Sequence, residues 1–383
     1  MTGYLVRRLI QVIITFLAFL TLVFFLIQAQ PGDFASFYAL NPRITPEGRE
    51  AIAKAFGLND PVWLQYFRYM GNFFMGDLGT SFSHYPRSVW NILVERAPRT
   101  VILFVTATVV SFYFGFVLGK LIAWYRGRTL EYISTIGGVY LYTVFTPWFG
   151  LLMIWLFAFK AGWFPMGKFL NPELWRSATV DANFVFHRII LTAAAISAIA
   201  LIAAVVGQRL RWRAITPVVI CTLVVGIGMT VLGWGLSPYW TLAWDIIKHM
   251  VLPVLVLSLI SFAGTMLLMR NSMLETMRED YVLTARAKGL SESAVRDRHA
   301  ARNALLPVVT SFVFSLAFAI DGGVITETIF SWPGMGLTLL DAAVSQDLPL
   351  AVGAFVLTGV FALIAHVIAD VLYAFLDPRI RYQ

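Results

Sequence analysis

The chain has 383 residues, of which 59% are hydrophobic and only 13% charged, with a mean hydropathy of +0.75. That composition excludes an ordinary soluble domain and indicates an all-α, polytopic transmembrane helical bundle. A formal charge of +8 would suggest nucleic acid in a soluble chain, but Lys and Arg held at the cytoplasmic surface account for it here, so no nucleic-acid partner is expected.

A helix crossing about 30 Å of hydrocarbon needs about 20 apolar residues. Eight segments meet this requirement: 9–29, 100–123, 131–159, 188–207, 214–234, 249–269, 308–327 and 349–375. The first follows Arg7 and Arg8, as in a signal peptide, but its apolar run reaches residue 29 without a small-x-small cleavage pattern and reads as a retained span. Residues 30–98 form a cap segment on the outer side. Within it, Thr45, Pro46 and Glu47 start a short helix that stops at Gly57. Asp60 and Pro61 start another, carrying Trp63, Tyr66, Phe67, Tyr69 and Met70. The spans at 131–159 and 349–375 are long enough to tilt. Segments 188–207 and 214–234, joined by the basic loop GQRLRWR, make a hairpin that leaves the orientation of the rest unchanged. As buried core helices they would close the topology equally well. The single cysteine, Cys221, allows neither an intrachain disulfide nor a metal cluster.

Arg7, Arg8, Arg126, Arg128, Arg209, Arg211, Arg213, Arg379 and Arg381 all fall on one side in this topology, as does the segment 270–307. The basic bias places that side, and both termini, in the cytoplasm.

Transport against a gradient needs an energy source. Gly162 to Phe169, GWFPMGKF, formally matches GxxxxGK, but Phe169 stands where a Ser or Thr would hold magnesium, and no strand precedes it. No ATP site and no cofactor is therefore expected in this chain. Ion coupling would need ionisable groups within the spans. The candidates are Asp321, near the outer end of the seventh span, and His366 with Asp370, one turn apart in the eighth, where a gating or purely structural pair is the alternative. The five histidines are scattered, and neither HExxH nor GxSxG occurs, so no catalytic residue is assigned.

Residues 270–307 interrupt this apolar chain with polar sequence. Residues 271–288 have helical character, Gly289 is a C-terminal stop, Ser291 is an N-cap, and a second helix begins at Glu292. Pro307 marks the entry to the seventh span and limits that second helix. Ala285, Ala287, Gly289 and Ala294 give the turn around Leu290 a thin profile, rimmed by Arg286, Lys288, Arg296, Arg298 and Arg302. Such a knuckle suits insertion into a partner's groove. A basic loop resting on membrane lipid headgroups is the other reading of the same pattern.

Asp280 to Thr310, DYVLTARAKGLSESAVRDRHAARNALLPVVT, resembles the cytoplasmic loop of inner-membrane permeases in binding-protein-dependent ABC importers, specifically the first permease of dipeptide and oligopeptide systems. Ala285, Ala287, Gly289, Asn303, Leu306 and Pro307 match the core of that loop, which in the family carries the coupling helix to the ATPase. The N-terminal span through Pro31, Gly32 and Asp33, the segment with Gly76-Asp77-Leu78-Gly79, and the terminal LDPRIR are similar to the same family. So is Gly322 to Gly353, with Glu327, Phe330, Pro333, Gly334 and Gly336 in family-like positions. The resemblance covers residues 1–160 and 245–383; residues 160–245 depart from it as an inserted outer loop and two-helix hairpin, and Asp321 stands where the family more often has a small or apolar residue.

The resemblance implies a type I importer permease fold, with a first helix at 1–29 and a permease domain at 99–383. It implies a transport subunit rather than an enzyme, in a bacterial or archaeal inner or plasma membrane. The expected partners are a second homologous permease, two ABC ATPase subunits that hold ATP and Mg, and an extracytoplasmic substrate-binding protein. An ion-coupled secondary transporter and a membrane scaffold are the rival functions from other classes.

Overall fold

The computed structural model describes residues 2–29, 60–209, 215–319 and 322–376. Asp321, the expected helix at 45–57, the basic loop at 210–213 and the terminal 377–383 lie outside the described residues, as does the side chain of Asp370.

Regular structure among the described residues is helical. α1 covers Thr2–Gln28, α2 Val62–Phe74 and α3 Val89–Trp124. α4, Thr129–Thr143, is followed by α5, Thr146–Met153, which continues as a π-helical stretch over Ile154–Lys160. α6 is Pro172–Trp175, α7 Ala182–Arg209, α8 Ile215–Gly235 and α9 Trp240–Thr276. α10 is Asp280–Ala287; α11, Glu292–Ala294, passes through a π-helical turn at Val295–Ala300 into α12, Ala301–Phe318. α13, Val324–Ile329, α14, Met335–Val344, and α15, Leu348–Leu376, complete the chain. Five helices among the described residues are long and apolar enough to cross a membrane, or six if a bent pair forms one span.

That bent pair corrects an expectation. Residues 131–159 are not one tilted helix: α4 and the α5 stretch meet at an angle of 108°. The break lies at Val144, which is extended with ψ 142°, and Pro147, lacking an N–H and bringing its ring against the carbonyl four residues back, suits the first turn of a new helix and not the continuation of α4. The seventh span is also shorter than the apolar run: it ends at Phe318, and Val324–Ile329 is a separate turn. Between them Gly322 adopts φ +78°.

The chain divides into two compact units, Met1–Gly150 with Val254–Gln383, and Leu151–Pro253. In the first, α3 lies close against α9. A Cβ on Gly115 would fall 2.7 Å from the Phe262 carbonyl oxygen, and one on Gly119 would fall 2.5 Å from that of Met266. This GxxxG pair lets the two backbones approach, the usual device where lipid leaves helices little hydrophobic drive to associate. Val89, Ile92, Leu93 and Ala97 of α3 pack with Met335, Ala342, Leu350 and Ala354. α1 and α2 meet α15 through Leu20, Val23, Met70 and Val356.

In the second unit α7 and α8 pack on one another. Asp245 accepts hydrogen bonds from the Asn171 N–H and the Trp175 indole N–H, both at 2.9 Å, and the Arg188 guanidinium lies 4.6 Å from the Trp234 ring centroid. Phe169, whose neighbours superficially match a phosphate loop, is buried edge-on against Phe186 and serves as core. Cys221 is exposed.

Candidate functional site

The polar segment folds as helix, turn, helix. The stretch expected to be one helix over 271–288 is two, because α9 ends at Thr276 and α10 begins at Asp280. α10 then closes with its last amides folding back: Lys288 N–H donates to Thr284 O at 3.0 Å, and Gly289 N–H to Arg286 O at 2.9 Å. Gly289 sits at φ +73° with no neighbour within 4 Å of where a Cβ would be, so the backbone conformation alone demands glycine. Ser291 caps the next helix, its hydroxyl accepting from the Ala294 N–H at 3.4 Å.

One face of this element is anchored. Val282 and Ala285 are buried with Ala123, Met269, Met273, Val295, Ala300, Ala301, Ala304 and Val308. Ala285 therefore packs inward and is not part of the exposed knuckle. The 282/285 spacing puts both on one helix face, and the anchored face needs them there. Ser272 adds a hydrogen bond to Ala304 O at 2.8 Å, and Lys120 pairs with Asp297 at 3.0 Å.

The opposite face is open. Arg286, Ala287, Lys288, Gly289, Leu290, Ser291 and Glu292 are exposed in sequence, with Leu283 at 53% and Leu290 at 41% exposure. Arg286 reaches Glu292 at 3.4 Å across the turn and lies 5.5 Å from the Trp124 ring. Arg296 is largely covered and bonded to Asp297, whereas Arg298, Arg302, Asn303 and Pro307 are exposed. Pro307 does not delimit a helix as expected; it lies inside α12. Leu283 of α10 and Leu290 of the turn are exposed apolar side chains beside the charged rim, the pattern of a docking surface.

The residues at the far motif come together as a buried knot. Glu327 is fully buried, accepting from the Thr100 hydroxyl at 2.7 Å and the Leu337 N–H at 2.9 Å. The Thr100 oxygen in turn accepts from the Met335 N–H at 2.7 Å. A Cβ on Gly334 would come within 2.4 Å of the Glu327 and Thr100 oxygens, and one on Gly336 within 2.7 Å of Val324 Cα. Phe330 is buried, and Pro333 offers its carbonyl to Arg96 at 3.4 Å. Burial pushes the Glu327 carboxyl up, against the hydrogen bonds that favour its charge. This arrangement pins α13 and α14 to α3. Thr100, which the sequence reading did not single out, is its centre; only its place at the start of an apolar span marked it.

A second clasp was also missed. Asp347 is fully buried and accepts from Ser81 Oγ at 2.5 Å, Ser83 Oγ at 2.6 Å and Ser83 N–H at 2.9 Å, while its other oxygen takes the Leu350 N–H at 3.2 Å. Although His84 stands beside these serines, Asp347 bonds the serines directly, so they form a structural tie. His366 makes no side-chain hydrogen bond to another helix among the described residues: its Nδ1 bonds Ala362 O of its own helix at 2.7 Å, and its ring meets Phe318 of α12 edge-on.

Comparison with known proteins accounts for the whole chain. Residues 111–382 match the family described as binding-protein-dependent transport system inner membrane component, and residues 1–104 match the N-terminal membrane component of the same kind of system. The first match runs through residues 160–245. The chain is 30% identical over 383 residues to the oligopeptide transport system permease protein AppB of Bacillus subtilis, with all of both chains covered. It is 31% identical over 383 residues to the di/tripeptide transport system permease protein DppB of Pseudomonas aeruginosa, again with full coverage of both. The dipeptide transport system permease protein DppB of Escherichia coli is 31% identical over 384 residues, with both chains covered completely. Neither the ion-coupled nor the scaffold reading draws support from these matches.

Proposed function

Because the chain belongs to the family of binding-protein-dependent transport system inner membrane components, we propose that it is the permease subunit that forms half of a peptide pathway and receives its drive at the turn 286–292. The permease role makes the chain a non-catalytic subunit of an ATP-driven importer. Dipeptides or oligopeptides are the cargo because the three similar permeases carry those substrates in their names over full-length matches. A second homologous permease completes the pathway, two ATPase subunits hold ATP and Mg, and an extracytoplasmic binding protein delivers the peptide. Both termini and the 270–307 segment face the cytoplasm of a bacterial or archaeal cell.

The observation that carries this reading is the two-faced turn. Its inner face is fixed to α9 and α12 by Val282, Ala285, Val295 and Ala300, while its outer face presents Leu283, Leu290 and a rim of Arg and Lys. A lever needs this combination: a rigid attachment behind and a free surface in front. A partner ATPase closing on ATP moves the turn, and the buried alanines and valines pass that movement to the long helices.

Purification of the intact complex tests the assignment. The expected result is co-recovery of a second permease, paired ATPases and a binding protein whose bound ligand is identified as peptide by mass spectrometry. Recovery without any ATPase, or with a non-peptide solute in the binding protein, overturns it.

A further inference from the structure

A cavity of about 720 Å³ opens between α3, α9 and α12 within the first compact unit. Hydroxyls from all three helices line it: Thr108 and Ser111, Ser261 and Thr265, Ser311 and Ser315. Phe112 and Phe312, with ring centroids 4.1 Å apart, give it an apolar side. Among the described residues lining it, none is ionisable.

A hydroxyl on a lipid-facing helix satisfies itself on the carbonyl one turn back. Two of the cavity's own hydroxyls do the same, Thr310 with Leu306 O at 3.1 Å and Ser315 with Ser311 O at 3.0 Å. Thr108, Ser111, Ser261 and Thr265 make no side-chain hydrogen bond among the described residues. Hydrocarbon against four such groups would leave their polar capacity unmet, so an aqueous or polar occupant belongs there. A hydroxyl both donates and accepts, and thus fits either the N–H or the C=O of a peptide group. The neighbouring rings tolerate apolar side chains, and a wall without charge favours neither acidic nor basic ones.

Building on the peptide-import reading, we propose that this cavity is the part of the pathway that carries the peptide main chain, and that it is indifferent to side-chain charge. Neutral, individually weak partners suit passage, since a solute has to enter and also leave. Selection by charge is left to other components of the importer.

The test uses the complete importer, reconstituted with its partner permease, ATPases and binding protein. The unsubstituted importer is assayed first; if it moves no peptide, the peptide-import reading itself fails before any variant is compared. Ser261, exposed at the cavity, is then replaced in two variants, S261D and S261K, and uptake of acidic, basic and neutral dipeptides is measured. The acidic-to-basic uptake ratio is expected to fall about 5-fold or more in S261D and to rise similarly in S261K. Uptake that persists in both variants with an unchanged ratio overturns the proposal. Should the charged variants fail to assemble, S261C in a C221A background is treated with a water-soluble thiol reagent. Modification that blocks transport supports the pathway; a position unreactive in the assembled importer, as when a partner helix or lipid covers it, overturns it.

Discussion

Glu327 shows how one carboxyl organises a junction. It collects the Thr100 hydroxyl and the Leu337 N–H in a site with no exposure, so replacing it by Ala strands donors at about 1–3 kcal/mol each. E327A is expected to lower the thermal midpoint of the detergent-solubilised protein clearly, and G334A to do the same by pushing a methyl into the space held by Glu327 and Thr100. The pH dependence has a definite sign. Since burial raises the Glu327 pKa in the folded state, its contribution is fully present below the ordinary carboxylate range and is lost as pH rises through the raised value. Thermal scans of the native chain and E327Q should therefore show the native chain losing stability relative to E327Q as pH increases. Parallel pH profiles would rule out titration of this group.

At the level of elements, the turn at Gly289 depends on a positive φ and not on space. G289A is expected to cost about 1–2 kcal/mol locally, and G289N less, because Asn tolerates the left-handed region better. Peptide-stimulated ATP hydrolysis in the assembled importer should fall in G289A and recover in part in G289N; equal activity in both would remove the turn from the coupling path. The clasp at Asp347 belongs to the same scale. D347A removes the acceptor joining Ser81 and Ser83 to the start of α15, and a drop in thermal midpoint is expected. Much of this architecture was legible in the chain. Gly289 and Ser291 announced their turn through helix-stop and N-cap chemistry, and Pro61 announced α2. Long apolar runs, however, conceal their own interruptions: Pro147 and the Gly322-Gly323 pair were visible signals outweighed by continuous hydropathy. Ala285 was misplaced because a small residue is equally at home in a thin loop and a tight core, and only its spacing from Val282 favours the core. The Glu327 and Asp347 ties join positions more than 200 residues apart, a pairing that local pattern does not encode.

On the scale of the whole molecule, the run from Glu292 to Phe318 connects the two regions of functional interest. Its first residues form the exposed turn, and Ser311 and Ser315 reach the hydroxyl-lined cavity. Between them lies the π-helical turn Val295–Ala300, which holds an extra residue relative to an α-helix. One residue corresponds to about 100° around a helix axis, so this turn sets the phase between the two ends. Deleting one residue within 295–300 would let regular α-helix form, improving local geometry while rotating the turn out of step with the cavity. Such a deletion is expected to yield a well-folded chain that still binds its ATPases yet fails to move solute, as judged by ATP hydrolysis that no longer responds to loaded binding protein. The irregular turn is then a timing mark: its residue count sets the phase, while Val295 and Ala300 hold its buried side in place.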